Sequence, residues 1–159
     1  MESKKTVRVE RSAGGAVVEL REGKPFLAMI ATKNRSRWGL PKGAALERET
    51  REEAAVREVK EETGLRAEVV EPLETIEYFF RAGDVLIHKY VDFFLMAYRG
   101  GELEPQLEEV DDAAWFPLEE ALERSSFASE KRMLEKLASI WSGMNDEEKG
   151  RFSAAAGAE

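Results

Sequence analysis

The chain has 159 residues, 43% of them hydrophobic and 35% charged, with a formal net charge of -8, one histidine and no cysteine. That length and balance suit one soluble globular domain with its own core. The acidic excess argues against a surface that coats nucleic acid or binds an anionic membrane, and the lack of cysteine excludes a disulfide framework, a thiolate nucleophile and a zinc–thiolate site.

The opening "MESKKTVRVE" is charged and lacks the apolar centre of a secretory signal. No apolar run approaches the about 18 residues that span a bilayer, so a cytoplasmic location is the default expectation. "RSAGGAVVEL" and "KPFLAMIAT" read as two strands joined by the turn "REGK". "TKNRSRWGLPKG" reads as a loop, punctuated by Gly39, Pro41 and Gly43. A helix should follow. Thr50 with Glu53 three residues on makes a capping box, and Gly64 is placed just past the helix end. Those signals frame Arg51 to Thr63.

"RAEVVEPLETIEYFFRA" and "DVLIHKYVDFFLMAY" are dense in β-branched and aromatic residues and read as strands. On the second, Val91, Phe93 and Leu95 fall on one face and His88, Tyr90 and Asp92 on the other. "RGGELEPQLEEVDD" is a loop, "AAWFPL" a short strand and "PLEEALER" a short helix. Met133, Leu134, Leu137 and Trp141 stand at helical spacing in "FASEKRMLEKLASIW", which predicts a packed helix. From Asn145 the apolar pattern stops. The expected organisation is therefore one domain over 1–144 and a flexible tail over 145–159. The order of elements points to an α/β fold with a mixed sheet packed by helices.

The helix starting at Arg51 is rich in glutamate, and its phase matters. At about 100° per residue, Glu58, Glu61 and Glu62 share an arc of roughly 100°, while Ala55, Val56, Val59 and Thr63 cover the adjoining arc that should face the core. Three neighbouring carboxylates repel one another, and a cation would relieve them. Clustered hard oxygens suit Mg²⁺, Mn²⁺ or Ca²⁺. A solvated helix face is the competing reading of such a charge run.

The pattern decides between the two. Gly43, five residues, Glu49, seven residues, then Arg57, Glu58, Val59, Glu61, Glu62, Gly64 and Leu65 fill every specified position of the Nudix box. The chain thus resembles the Nudix hydrolases over roughly residues 7 to 142, and the resemblance implies a Nudix-like α/β/α sandwich. It implies hydrolysis of a nucleoside diphosphate linked to another group, by attack of water on phosphorus, with Mg²⁺ as cofactor and Mn²⁺ as substitute. By the same resemblance Glu58, Glu61, Glu62 and the Lys42 carbonyl are the expected metal ligands. Arg57 is expected to orient a box glutamate, most simply Glu49. The general base is Glu58 or a glutamate in the loop "QLEEVDDAAW", where Glu109 matches better than Glu108. Gly43 should let the loop approach the metal closely.

Substrate choice must come from outside the box. "IHKYVDFFLM", "RWGLPKG" and "WFPLEEAL" resemble the dinucleoside polyphosphate branch, with diadenosine tetraphosphate as its type of substrate. A tyrosine usual in that branch is absent, Gly83 and Asp84 standing near its place. Nucleoside triphosphates and diphosphoinositol polyphosphates are the alternatives, and a non-enzymatic nucleotide-binding regulatory module is a different class. The candidate substrate contacts are Lys42, Arg37, Tyr78, Lys89 and Tyr90, the basic residues for phosphate and the aromatic ones for stacking on a base. The expected partner is a small nucleotide or polyphosphate, without nucleic acid or membrane, and an oligomer is open.

Overall fold

The computed structural model describes residues 6–154. Its centre is a seven-stranded mixed sheet. β1 (Thr6–Arg21) and β2 (Lys24–Thr32) form the expected hairpin. Its turn places Glu22 at φ 49° and Gly23 at φ 81°, the paired left-handed conformation that a tight hairpin needs. β5 (Arg66–Ala82) and β6 (Val85–Gly100) form a second hairpin around Gly83 and Asp84. β6 lies parallel to β1 from Thr6↔Val85 to Val18↔Ala97, so the order runs β3-β2-β1-β6-β5.

Two three-residue strands interrupt the segment expected to be a plain loop. β3 (Arg37–Gly39) pairs with β2, and β4 (Lys42–Ala44) pairs with β1 through Gly14↔Lys42, Ala13↔Gly43 and Ser12↔Ala44. The correction is local: pairing partners far along the chain straighten residues whose own composition favours turns. β7 (Asp112–Pro117) joins the outer side of β2.

Helices cover both faces, so the α/β/α sandwich is the observed fold. α1 (Arg51–Thr63) has the expected bounds, with the Thr50–Glu53 capping box closed and Gly64 at φ 82° as its left-handed cap. Ala54, Ala55 and Val59 pack on Ala13, Val17, Phe94 and Met96. Val56, expected in that stripe, is only half-buried, and Ala54 takes its place. On the other face α2 (Leu118–Arg124) and α3 (Ala128–Gly143) bury Leu118, Met133, Leu134, Leu137 and Trp141 against Leu27, Met29, Phe93 and Leu95. Among the described residues no helix is long and apolar enough to cross a membrane.

The flexible tail expected from Asn145 needs correcting over 145–154; residues 155–159 lie outside the described ones. Asn145 and Glu148 close a capping box on α4 (Asp146–Gly150). Phe152 is fully buried, edge-on to Trp141 at 5.4 Å, and its carbonyl accepts from the Leu20 N–H at 2.9 Å. A lone aromatic beyond a helix carries no periodicity, which is why the apolar pattern did not reveal it.

Candidate active site

α1 presents its acidic edge to β4. Glu58 and Glu62 are buried although charged, at 8% and 7% exposure, while Glu61 stays exposed. Arg57 ties the group together. Its Nε and Nη2 donate to the two carboxylate oxygens of Glu49 at 2.6 and 2.8 Å, and its Nη1 donates to Glu58 at 2.8 Å and Glu61 at 3.2 Å. A further bond reaches the Ala44 carbonyl at 2.9 Å, so one guanidinium fixes α1 to the strand before it. This bidentate geometry is available to arginine and not to lysine. The hydrogen bonds that Arg57 donates draw the Glu49 carboxyl down to about 2, and the carboxylates that accept them raise the Arg57 pKa.

Glu58 and Glu62 respond in the opposite sense. Burial raises the Glu58 pKa against the pull of Arg57, with help from the charges of Glu61 and Glu109. Burial also pushes Glu62 up to about 7, helped by Glu58 and Glu109 and opposed by the Lys42 N–H, which donates to its Oε1 at 2.8 Å. Glu109 is therefore close enough to act on both buried carboxylates. The buried Val110 beside it and the Asp111 N–H bond to the Ala31 carbonyl anchor its loop. Gly43 is needed for a contact within the protein itself. A β-carbon there would fall 2.1 Å from Glu58 Oε2, so the close approach is between β4 and the glutamate itself.

Glu130 was not anticipated. It is 2% exposed, accepts from the Leu40 N–H at 2.8 Å and meets Lys42 Nζ at 3.3 Å. It thus pins Leu40 to Lys42 from α3, and Lys42 links Glu62 on one side to Glu130 on the other. The sequence does carry a signal for it, because Glu130 lies three residues before Met133 on the apolar stripe of α3. A pocket of about 150 Å³ between Gly39, Lys42, Glu62, Phe127 and Glu130 continues from the carboxylates. It shares Lys42, Phe127 and Glu130 with a cleft of about 520 Å³ walled by Ile76, Tyr78, Val91 and Phe93.

The NUDIX domain family model matches residues 10–137. The chain belongs to the Nudix family. A Mycobacterium tuberculosis protein, provisionally named mutator protein MutT4, is 40% identical over 79% of this chain and 53% of its own length. An 8-oxo-(d)GTP phosphatase of Mycolicibacterium smegmatis is 32% identical over 72% of this chain and 35% of its own. The chain spans about half or less of the length of these curated relatives. Among solved structures, the binary complex of a C. elegans Ap4A hydrolase superposes with a TM-score of 0.70 over 85% of this chain and 99% of that one, at 22% identity, which is a likeness of fold.

Within this Nudix domain the structure gathers Arg57, Glu58, Glu61, Glu62 and Lys42 at one place, and the charge of Glu109 reaches Glu58 and Glu62. Tyr78 lines the cleft. Lys89 is its cross-strand partner and leaves the sheet on the same face. Arg37 is exposed and in register with Thr32, a lining residue of the smaller pocket. Tyr90 is not brought to the cleft. Strand alternation turns it to the face opposite Val91, where it packs on His88 at 4.4 Å and beneath Arg11 at 4.6 Å.

The donor set suits a hard divalent cation, being all oxygen, with two buried carboxylates whose ionisation is opposed by burial and by neighbouring carboxylates. Among the described residues no three histidine, aspartate or glutamate side chains converge closely enough to hold a metal ion by themselves.

Proposed function

We propose that the chain hydrolyses a phosphoanhydride bond in a nucleoside polyphosphate, by attack of water on phosphorus beside the Nudix box. The observation that carries this reading is the burial of Glu58 and Glu62 against the Lys42–Gly43 backbone, with Glu62 lining a small pocket that shares Lys42 with an aromatic-walled cleft. Nothing in a solvated helix face requires that arrangement.

Glu58, Glu61, Glu62 and the Lys42 carbonyl would hold a divalent cation, which would supply charge neutralisation for the phosphates and lower the pKa of the attacking water. The protein's own task is positioning, as phosphoryl transfer demands. Arg57 holds Glu58 and Glu61 in one arrangement, and the Lys42 N–H holds Glu62. Glu130 fixes the turn that carries Lys42. The proton passes to Glu58, whose raised pKa suits a base, or to the loop carboxylate of Glu109. The nucleoside lies in the cleft with its base on Tyr78.

Two leaving groups are supported by different observations. Identity to proteins named mutator protein and 8-oxo-(d)GTP phosphatase supports a nucleoside triphosphate. The placement of Lys89 beside Tyr78 at the outer wall supports the dinucleoside polyphosphate reading, since that lysine belongs to the strand segment resembling the branch. Product analysis, reading the nucleotides and the pyrophosphate or phosphate formed from a panel containing 8-oxo-dGTP and diadenosine tetraphosphate, separates them. Turnover in this assay vanishes in excess chelator and returns with Mg²⁺ or Mn²⁺. Full turnover without divalent ions overturns the proposal.

The two tyrosines should part company in the same assay. Tyr78→Ala raises KM by about tenfold, the lower value for loss of a base–aromatic stack, with kcat little changed. Tyr90→Ala leaves KM unchanged because its ring faces away from the cleft. Equal effects from both would remove the base from the Tyr78 wall.

A further inference from the structure

The sheet ends on β5, which pairs only with β6 among the described residues. A long free edge invites another strand, and soluble proteins blunt such edges with proline, bulges and lysine. The half of β5 nearer the body is blunted in this way. Pro72 interrupts it, register shifts fall at Val69/Glu71 and Pro72/Glu74, and Lys136 Nζ donates to the Leu73 carbonyl at 2.9 Å. The outer half has none of these devices. Its register with β6 is unbroken from Glu74↔Phe93 to Ala82↔Val85. It carries Tyr78, Phe79 and Phe80 at 37%, 58% and 38% exposure.

The sequence of that half is complementary to itself when reversed. With a two-fold axis at Phe79, Glu77 stands opposite Arg81, Phe79 opposite its own copy, Tyr78 opposite Phe80 and Ile76 opposite Ala82. Glu77, Phe79 and Arg81 share one face of the strand, Tyr78 and Phe80 the other. Both charges are thus answered on one face and the aromatic rings meet on the other. Moving the axis by one residue to Tyr78 sets Glu77 against Phe79 and Arg81 against Thr75, and moving it to Phe80 sets Glu77 against Gly83 and Arg81 against Phe79. Either shift leaves both charges unpaired.

We propose that the chain forms a two-fold dimer by antiparallel pairing of residues 75–83 of β5 with the same segment of a second copy. A closed two-fold contact requires a patch that complements itself, and backbone hydrogen bonds across the edge supply attraction while the side-chain pairs set the register. The Glu77 carboxylate remains available for this, since its side chain is 59% exposed despite standing 3.4 Å from His88 Nε2. The partner's Phe80 then abuts Tyr78 at the rim of the cleft.

Sedimentation of the full chain tests the register as well as the dimer. The wild-type protein should have twice the 17.9 kDa chain mass. Glu77→Arg and Arg81→Glu, each alone, set like charges across the axis and should halve the mass while the chain keeps the circular dichroism of the folded protein. The double variant Glu77→Arg/Arg81→Glu restores opposite charges and should recover the dimer. Phe79→Ser should also give monomer. A monomeric wild type overturns the proposal, as does a dimer that both single reversals leave intact or a double variant that stays monomeric. Sedimentation reads the dimer alone, so its failure leaves the reading of the carboxylate site untouched.

Discussion

Replacing Glu58 or Glu61 by Gln lowers kcat by about 10²-fold or more, the scale of losing one electrostatic stabiliser of a transition state. Glu53→Gln, on the same helix, leaves kcat within about threefold. The contrast follows from where α1 points each side chain. Glu58 lies over Gly43 and accepts from Arg57 at 2.8 Å, and Glu61 accepts from the same guanidinium at 3.2 Å. Glu53 instead accepts from the Thr50 N–H at 2.9 Å in the capping box, a role glutamine also fills. Glu58→Gln is the more damaging of the two if Glu58 is also the base, since general-base catalysis contributes about 10²–10⁴. None of the three changes removes apolar burial, so Tm measured in parallel should not fall by more than a few degrees, the scale of about 1 kcal/mol in a domain of this size. Equal inactivity of Glu53→Gln at unchanged Tm would mean that the carboxylates do not act through this edge of α1.

Much of this site is legible in the chain because its signals are local. The bounds of α1 follow from Thr50, Glu53 and Gly64, which act within a turn of the helix. The meeting of Arg57 with Glu49 is written in the spacing of the box and is seen at 2.6 Å. What the chain hides is set at long range. β4 exists because Lys42–Ala44 lies against Ser12–Gly14, and no property of "KGA" announces a strand. Glu130 acts on Leu40 across ninety positions. Tyr90 is a different lesson. The two-residue period of β6 already sets it opposite Val91, and the likeness of a sequence segment outweighed that geometric argument. α4 is different again, since Asn145 and Glu148 display a capping box in plain view. The helix is too short to show any apolar period, and Phe152, just beyond it, joins the segment to the core.

Glu62→Gln should stabilise the metal-free protein while abolishing its response to Mg²⁺. Burial holds the Glu62 carboxyl at about 7 in the fold, against 4.5 for an exposed one. Below pH 4.5 the group is protonated in both states and its burial as a neutral acid carries no ionic penalty. As pH rises from 4.5 to 7 the unfolded chain ionises first, so stability is lost through that window and the loss is complete above it. The sum is on the order of 3 kcal/mol at 1.36 kcal/mol per pH unit. Glutamine is never charged, and its Oε1 can keep the bond from the Lys42 N–H. In excess chelator at pH 8 the variant should therefore melt several degrees above wild type, at about 2–4 °C per kcal/mol for a domain of this size. The gap should close as pH falls to 4.5. The charge of Glu58 adds to the burial that raises Glu62, and a neutral glutamine escapes both. Mg²⁺ at pH 8 should raise the Tm of wild type by selective binding to the folded state and should move the variant far less, with kcat reduced by about 10²-fold or more as for the other box glutamates. A variant that melts below wild type in chelator at pH 8 would show that Glu62 stabilises the fold through its charge, and a variant that gains as much from Mg²⁺ as wild type would remove Glu62 from the cation site.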